Sequence, residues 1–192
     1  MNAQVSAVVL AAGMGTRMGA AKQLLPFRGK PLVEHVLDTV RAADFREIVL
    51  VLGHAADEIH ARVPLSSVRV VLNDAYREGM ASSLRAGIAA VDPASEAVLI
   101  VLADQPFVRP DTMNRLIAEY QAIAIPTYEG KRGNPVRIGR SLFPEVLRLA
   151  GDIGCRALFA AHPDEIAYVP VDDPGILIDF DRKKDLESEP EA

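Results

Sequence analysis

Between positions 10 and 32 the chain reads LAAGMGTRMGAAKQLLPFRGKPL. Gly13, Gly15 and Gly19 stand there within a short reach of two cations, Arg17 and Lys22. Backbone N–H groups at a glycine turn converge on phosphate oxygens, and cations beside them add charge where a leaving pyrophosphate develops it. Much further on, Asp104 follows the apolar run AVLIVLA, and Asp179 and Asp181 flank Phe180. Magnesium takes one or two such carboxylates together with phosphate oxygens and water. Asp179 and Asp181 point to one side if their segment is extended. These residues could therefore hold and cut a triphosphate. Singly, each also has a plain reading: Arg and Lys usually lie solvated, and Asp often fills a turn.

Two other phosphate chemistries fit less well. Gly13-x-Gly15 after a strand superficially matches a dinucleotide fingerprint, but that fold wants an acidic residue or an arginine at the tip of the second strand. The second strand ends instead in VLVLGHAAD. The hydrolase loop wants Gly-Lys followed by Ser or Thr, and GAAKQL lacks it.

The elements that must position these residues alternate. VSAVVLAA (5–12), EIVLVLG (47–53), VRVVLN (68–73) and AVLIVLAD (97–104) are short apolar runs of the kind buried on both faces of a sheet. Helical patterns follow them. Pro31 opens PLVEHVLDTVRAA, with Leu32, Val33, Val36, Leu37 and Val40 on one face. HAADEIHARV is a short helix, GMASSLRAGIAAV lines up Met80, Leu84, Ile88 and Val91, and RPDTMNRLIAEYQA is a further helix. Such alternation predicts a parallel sheet covered by helices on both sides, with ligands at the carboxyl ends of the strands. Those ends are the Gly13 loop, Gly53-His54, Asn73 and Asp104. From 122 onward the rhythm breaks into two strands around a polar loop, two short helices, and EIAYVPV and GILIDFD as late strands.

Composition bounds the rest. The 192 residues fit one domain, with 49% hydrophobic and 24% charged residues. A net charge of −5 argues against a nucleic-acid or anionic-membrane partner, since both want a basic face. The single cysteine, Cys155, forms no internal disulfide and reads as a small buried hydrophobe. The N-terminus reads as a strand rather than a signal peptide, and no apolar run is long enough to span a membrane, so a cytoplasmic protein is expected. The polar tail at 187–192 is expected to be disordered. Of the histidines, His35, His60 and His162 read as surface residues, and His54 alone stands at a strand tip.

LAAGMGTRMGAAKQLLPFRGKPL, with NDAYREGMASSL, ADQP, KRGNPV, GDIGCR and DFDRKKDL after it, resembles the molybdenum cofactor cytidylyltransferases and their guanylyl-transferring relatives, the MobA-like nucleoside triphosphate transferases. The resemblance follows the same order along nearly the whole chain. It implies a single-domain Rossmann-like three-layer αβα fold over 1–186, mostly parallel with a late antiparallel portion. A nucleotide half would run over 1–106 and an acceptor half over 107–186. It implies Mg²⁺ as cofactor and transfer of CMP from CTP to the phosphate of molybdopterin, with release of pyrophosphate.

Residue roles follow from the same resemblance. Leu10, Ala11 and Ala12 would line the base through backbone groups, and Gly13, Gly15, Arg17 and Lys22 would hold phosphates. Asn73 and Ser82 would meet the nucleoside. Asp104 and Asp181 would bind the metal, with Asp179 as the alternative to Asp181. Arg132, Asn134, Pro135, Asp152 and Arg156 would face the acceptor. Arg17, Lys22 and Asp104 would be catalytic. Ala12 stands where the guanylyl branch tends to carry a glycine, which favours CTP over GTP. Cys155 stands where the family usually has alanine. A sugar or polyol phosphate remains an alternative acceptor. So does a non-catalytic role as a carrier of nucleotide or cofactor to a molybdoenzyme or its chaperone.

Overall fold

In the computed structural model the residues described are 4–13 and 21–180; Gly15, Arg17, Asp181 and the expected tail lie outside them. VSAVVLA forms strand β1 (Val5–Ala11). Its alternation feeds two cores: Val5, Ala7, Val9 and Ala11 pack on one face of the sheet, and Val8 packs on the other. A two-residue hairpin joins β2 (Pro26–Phe27) to β3 (Lys30–Pro31). Its turn residues Arg28 and Gly29 both have positive φ, at 47° and 82°, the conformation tight hairpin turns require.

The chain then continues through α1 (Leu32–Arg41), β4 (Ile48–Leu52), α2 (Ala56–Arg62), β5 (Arg69–Leu72), α3 (Met80–Ala90), β6 (Ala97–Leu102) and α4 (Pro110–Ile117). The later half holds β7 (Ile123–Tyr128), β8 (Lys131–Arg132), β9 (Val136–Gly139), α5 (Phe143–Val146), α6 (Arg156–Ala161) and β10 (Ile166–Pro170). The main sheet runs β10-β7-β9-β6-β1-β4-β5, with β8 paired to β7. From β6 through β1 and β4 to β5 the strands are parallel, as are β10 and β7. β9 runs antiparallel to both β6 and β7, the late antiparallel portion expected.

Helices cover both faces. The apolar stripe of α1, with Ile59 of α2 and Met113 and Leu116 of α4, fills one core. Leu84 and Ile88 of α3, Phe143 and Val146 of α5 and Leu158 of α6 fill the other. This is the Rossmann-like three-layer arrangement. Among the described residues no helix is long and apolar enough to cross a membrane.

Some expectations change. The run at 68–73 does not form a strand buried on both faces: β5 is the sheet edge, with Arg69 and Leu72 exposed. The described part of GILIDFD, residues 175–180, does not form a strand either. Asp173 accepts a hydrogen bond from the Gly175 N–H, and the chain turns through a 3₁₀ helix at Pro174–Leu177. Met80 leaves the apolar face of α3 and is exposed, while Leu84, Ile88 and Val91 stay buried. His162 is partly covered, held between Glu145 and Glu165.

Candidate active site

After β1 the chain forms β4 and β5 on one side, then crosses over to place β6 on the other. The strand order therefore switches at β1, and the crevice beyond the carboxyl ends of β1 and β6 is where such folds hold ligands. A cavity of about 520 Å³ opens there. Leu10, Ala12 and Gly13 line it from β1, Leu102, Ala103 and Asp104 from β6, and Lys22 and Gln23 from the 3₁₀ turn at Lys22–Leu24. The segment between β5 and α3 adds Tyr76, Arg77, Glu78, Gly79, Met80 and Ser83.

Across the floor, Lys22 Nζ donates to Asp104 Oδ2 at 2.7 Å. Their side chains are 15% and 30% exposed, so the pair borders the cavity and is not sealed beneath it. The Phe180 N–H donates to the Asp104 carbonyl at 3.1 Å. Residues 173–180 are fastened beside α4 before they reach this point. Asp173 accepts from the Arg109 N–H at 2.8 Å and from the Thr112 hydroxyl at 2.7 Å. Phe180 itself is buried against Phe27 and Leu32. Position 181 therefore follows directly from a residue bonded to Asp104, although Asp181 lies outside the described residues. Asp179 accepts a hydrogen bond from the Gln105 amide.

The other wall is built on glycine. Gly79 has φ near +101°, and a Cβ there would stand 2.6 Å from the Gly151 carbonyl and the Asp152 nitrogen. This contact lets the loop at 151–152 cap α3 from outside. The Ala81 N–H donates to the Gly151 carbonyl at 3.2 Å, and the Met80 N–H to Asp152 Oδ1 at 3.3 Å. Helix starts leave N–H groups that need such partners. Asp152 lines the cavity as a result.

Asn73 and Ser82 sit behind this wall. The Asn73 amide nitrogen donates to the hydroxyls of Ser82, at 2.8 Å, and Ser83, at 3.0 Å. Ser82 in turn donates to the Gly79 carbonyl at 2.8 Å, and Ser83 is the one that borders the cavity. Of the expected acceptor residues, Asp152 alone lines it. Arg132 is exposed on β8, the Asn134 N–H is bonded to the Ile176 carbonyl, Pro135 is buried after a cis bond, and Arg156 opens α6 exposed. Cys155 is buried in the α3 core, and loss of solvation pushes its thiol up to about 12. It is a packing residue.

Gln23, Tyr76, Arg77 and Glu78 line the cavity without having been singled out from sequence. Gln23 adjoins Lys22, and DAYREG lies between a strand and a helix. Their position next to recognised residues was the signal.

Residues 7–166 match the MobA-like NTP transferase domain. The chain is 34% identical over 188 residues to nicotine blue oxidoreductase of Paenarthrobacter nicotinovorans, covering 92% of each. It is 37% identical over 112 residues to the bifunctional protein GlmU of Burkholderia orbicola, matching 57% of this chain and 24% of that one. Rv0371c from Mycobacterium tuberculosis H37Rv superposes with a TM-score of 0.88 at 35% identity, over 98% of this chain and 100% of that one. Its complex with manganese superposes at 0.81 and 32% identity, over 96% of both. A nucleotidyl transferase from Methanothermobacter thermautotroptrophicus gives 0.82 at 27% identity, over 95% and 94%.

Proposed function

The chain belongs to the MobA-like NTP transferase family and is a nucleotidyltransferase, and from that premise we propose that it moves CMP from CTP to the phosphate of molybdopterin. The carrying observation is the Lys22–Asp104 pair at the floor of the switch-point cavity. In the proposed reaction an oxygen of the acceptor phosphate attacks the α-phosphorus of CTP. The bond from that phosphorus to the bridging oxygen breaks, and pyrophosphate leaves with the electron pair. The acceptor phosphate is already anionic, so the site needs alignment and charge neutralisation, not a strong base.

Lys22, released from Asp104, would face the phosphates together with Arg17 and the glycine turn. At about 4 Å and an effective dielectric near 20, one cation gains roughly 4 kcal/mol against one phosphate charge. Asp104 presents a partly exposed carboxylate, and Phe180, bonded to its carbonyl, leads directly into Asp181. Hard oxygen donors of this kind suit Mg²⁺, and Asp104 and Asp181 would hold it. Bound there, the metal would supply positive charge to the triphosphate, and the manganese complex of Rv0371c supports a divalent ion. Ala12 brings a methyl-bearing residue to the cavity wall, which favours the smaller pyrimidine. Asp152 at the opposite wall would face the acceptor.

The test is incubation of the purified protein with Mg²⁺, each nucleoside triphosphate in turn and molybdenum cofactor, following pyrophosphate. Release dependent on CTP supports the proposal. Release with GTP alone, or with a sugar phosphate as acceptor, reassigns the substrates. Tight binding of nucleotide without release makes the protein a carrier.

One observation favours a second reading, an oxidoreductase acting on nicotine blue: the relative bearing that name is similar along 92% of the chain. Met80 and Ile153, exposed beside Asp152, offer apolar surface to a planar partner. Loss of nicotine blue in the presence of a reduced nicotinamide nucleotide would support it, and an unchanged spectrum would dismiss it.

A further inference from the structure

The 3₁₀ turn at Lys22–Leu24 carries two side chains to the cavity, and only Lys22 takes part in the transfer described above. Gln23 is buried, and its Nε2 donates to two successive exits of β1: the Ala11 carbonyl at 3.0 Å and the Gly13 carbonyl at 2.9 Å. Two carbonyl oxygens facing one amide atom identify it as the nitrogen. Among the described residues the buried amide oxygen Oε1 meets no hydrogen-bond donor. An orphaned buried acceptor costs stability, so stability alone is a poor account of an amide at this position.

From the opposite side, Gly53 closes on the same backbone. A Cβ at Gly53 would stand 2.8 Å from the Ala12 carbonyl oxygen and 3.0 Å from the Ala12 methyl. Ala12 is thus gripped between Gly53 and the two carbonyls that Gln23 holds. Ala12 and Gly13 form the cavity wall next to Lys22.

We infer that Gln23 is a positioning residue for the nucleoside. It sets the backbone that the base meets, while its neighbour Lys22 faces the phosphates. The inference rests on the nucleoside triphosphate reading of the cavity. A misplaced wall weakens binding of the base and blurs the choice between bases. It leaves transfer from a bound nucleotide nearly intact, because Gln23 touches no reacting atom.

The test compares wild type with Gln23→Met, which keeps length and bulk but removes the donor, and Gln23→His, which keeps one N–H. Calorimetric Kd values for CTP and GTP with Mg²⁺, KM and kcat for pyrophosphate release, and Tm are measured. For Gln23→Met the Kd and KM for CTP should rise roughly tenfold, because the Ala12–Gly13 wall no longer sits where the bound nucleoside needs it. Its kcat should stay within about twofold, the pattern of lost ground-state binding. The ratio of the two Kd values should move towards one. Gln23→His should fall between, and it carries the test if Gln23→Met fails to fold. A lower Tm with unchanged Kd values and ratio would make Gln23 a filler and overturn the inference. Wild-type protein that binds neither nucleotide would overturn the reading of the cavity itself, a result seen before any variant is made.

Discussion

The two ends of the central strands β1 and β6 both gather polar side chains, and they treat them oppositely. At the amino ends, Ser6 and Ser95 are fully buried with hydroxyls 2.6 Å apart, and Ser6 donates to Glu47 at 3.1 Å. Glu47 also accepts from the Asp92 N–H, Arg46 holds Asp92 at 2.9 Å, and Arg140 donates to the carbonyls of Ser95 and Asp92. The side chains of this cluster answer one another, and together they lock the loop before β6 to β1. At the carboxyl ends, Lys22 and Asp104 also form a pair, but beside a cavity and next to an amide oxygen that has no partner among the described residues. A satisfied polar cluster rigidifies a fold, whereas partly exposed polar groups beside a cavity stay available to a ligand. On the proposed function, the difference separates structure from chemistry within one pair of strands.

Mutation should separate them too. Lys22→Ala and Asp104→Ala should each lower turnover by roughly two orders of magnitude or more, the cost of losing one preorganised charge stabiliser. Pyrophosphate release measures it, and near-normal kinetics in either variant would remove that residue from the site. Ser6→Ala at the other end should cost about 1–3 kcal/mol of unfolding free energy, because Ser95 and Glu47 lose a buried partner, with kcat unchanged. Urea unfolding beside the activity assay reads both, and a drop in kcat would erase the contrast.

Cys155 tests whether the α3 core stays closed. With its thiol pushed up to about 12 by burial, almost no thiolate exists near neutral pH. Iodoacetamide should label it only after unfolding, and rapid labelling of the native protein would show an open core. The smallest effect lies away from both ends, at His162. Hydrogen bonds to Glu145 and then Glu165 raise its pKa above the usual 6.5. A raised folded-state pKa contributes stability that is complete below the unfolded value and lost as pH rises through the folded one. His162→Gln should therefore lower the urea midpoint slightly near pH 6 and not at all near pH 9. An equal loss at both would mean that the charge plays no part.

Much of the fold was legible. β1, β4 and β6 are short β-branched runs, and α1 repeats apolar residues at helical spacing, so local pattern and burial agree. The run at 68–73 reads as a doubly buried strand because an edge strand can be as apolar as a central one. The segment from Gly175 reads as a strand in sequence, but one side chain, Asp173, captures its backbone at Gly175.

At the site, residue types alone singled out the glycine turn, Lys22 and Asp104, since glycines and cations after a strand and a carboxylate at another strand's tip have few purely structural uses. Their meeting across 82 positions of sequence was decided by the parallel pairing of β1 with β6. Sequence also could not show that Gln23 faces β1, that Asp152 folds onto the start of α3, or that Arg132 and Arg156 stand away from the cavity wall. Each is a contact between distant segments, set by how the sheet and its helices pack. Local sequence fixes which groups are available, and only the packed chain decides which of them share one crevice.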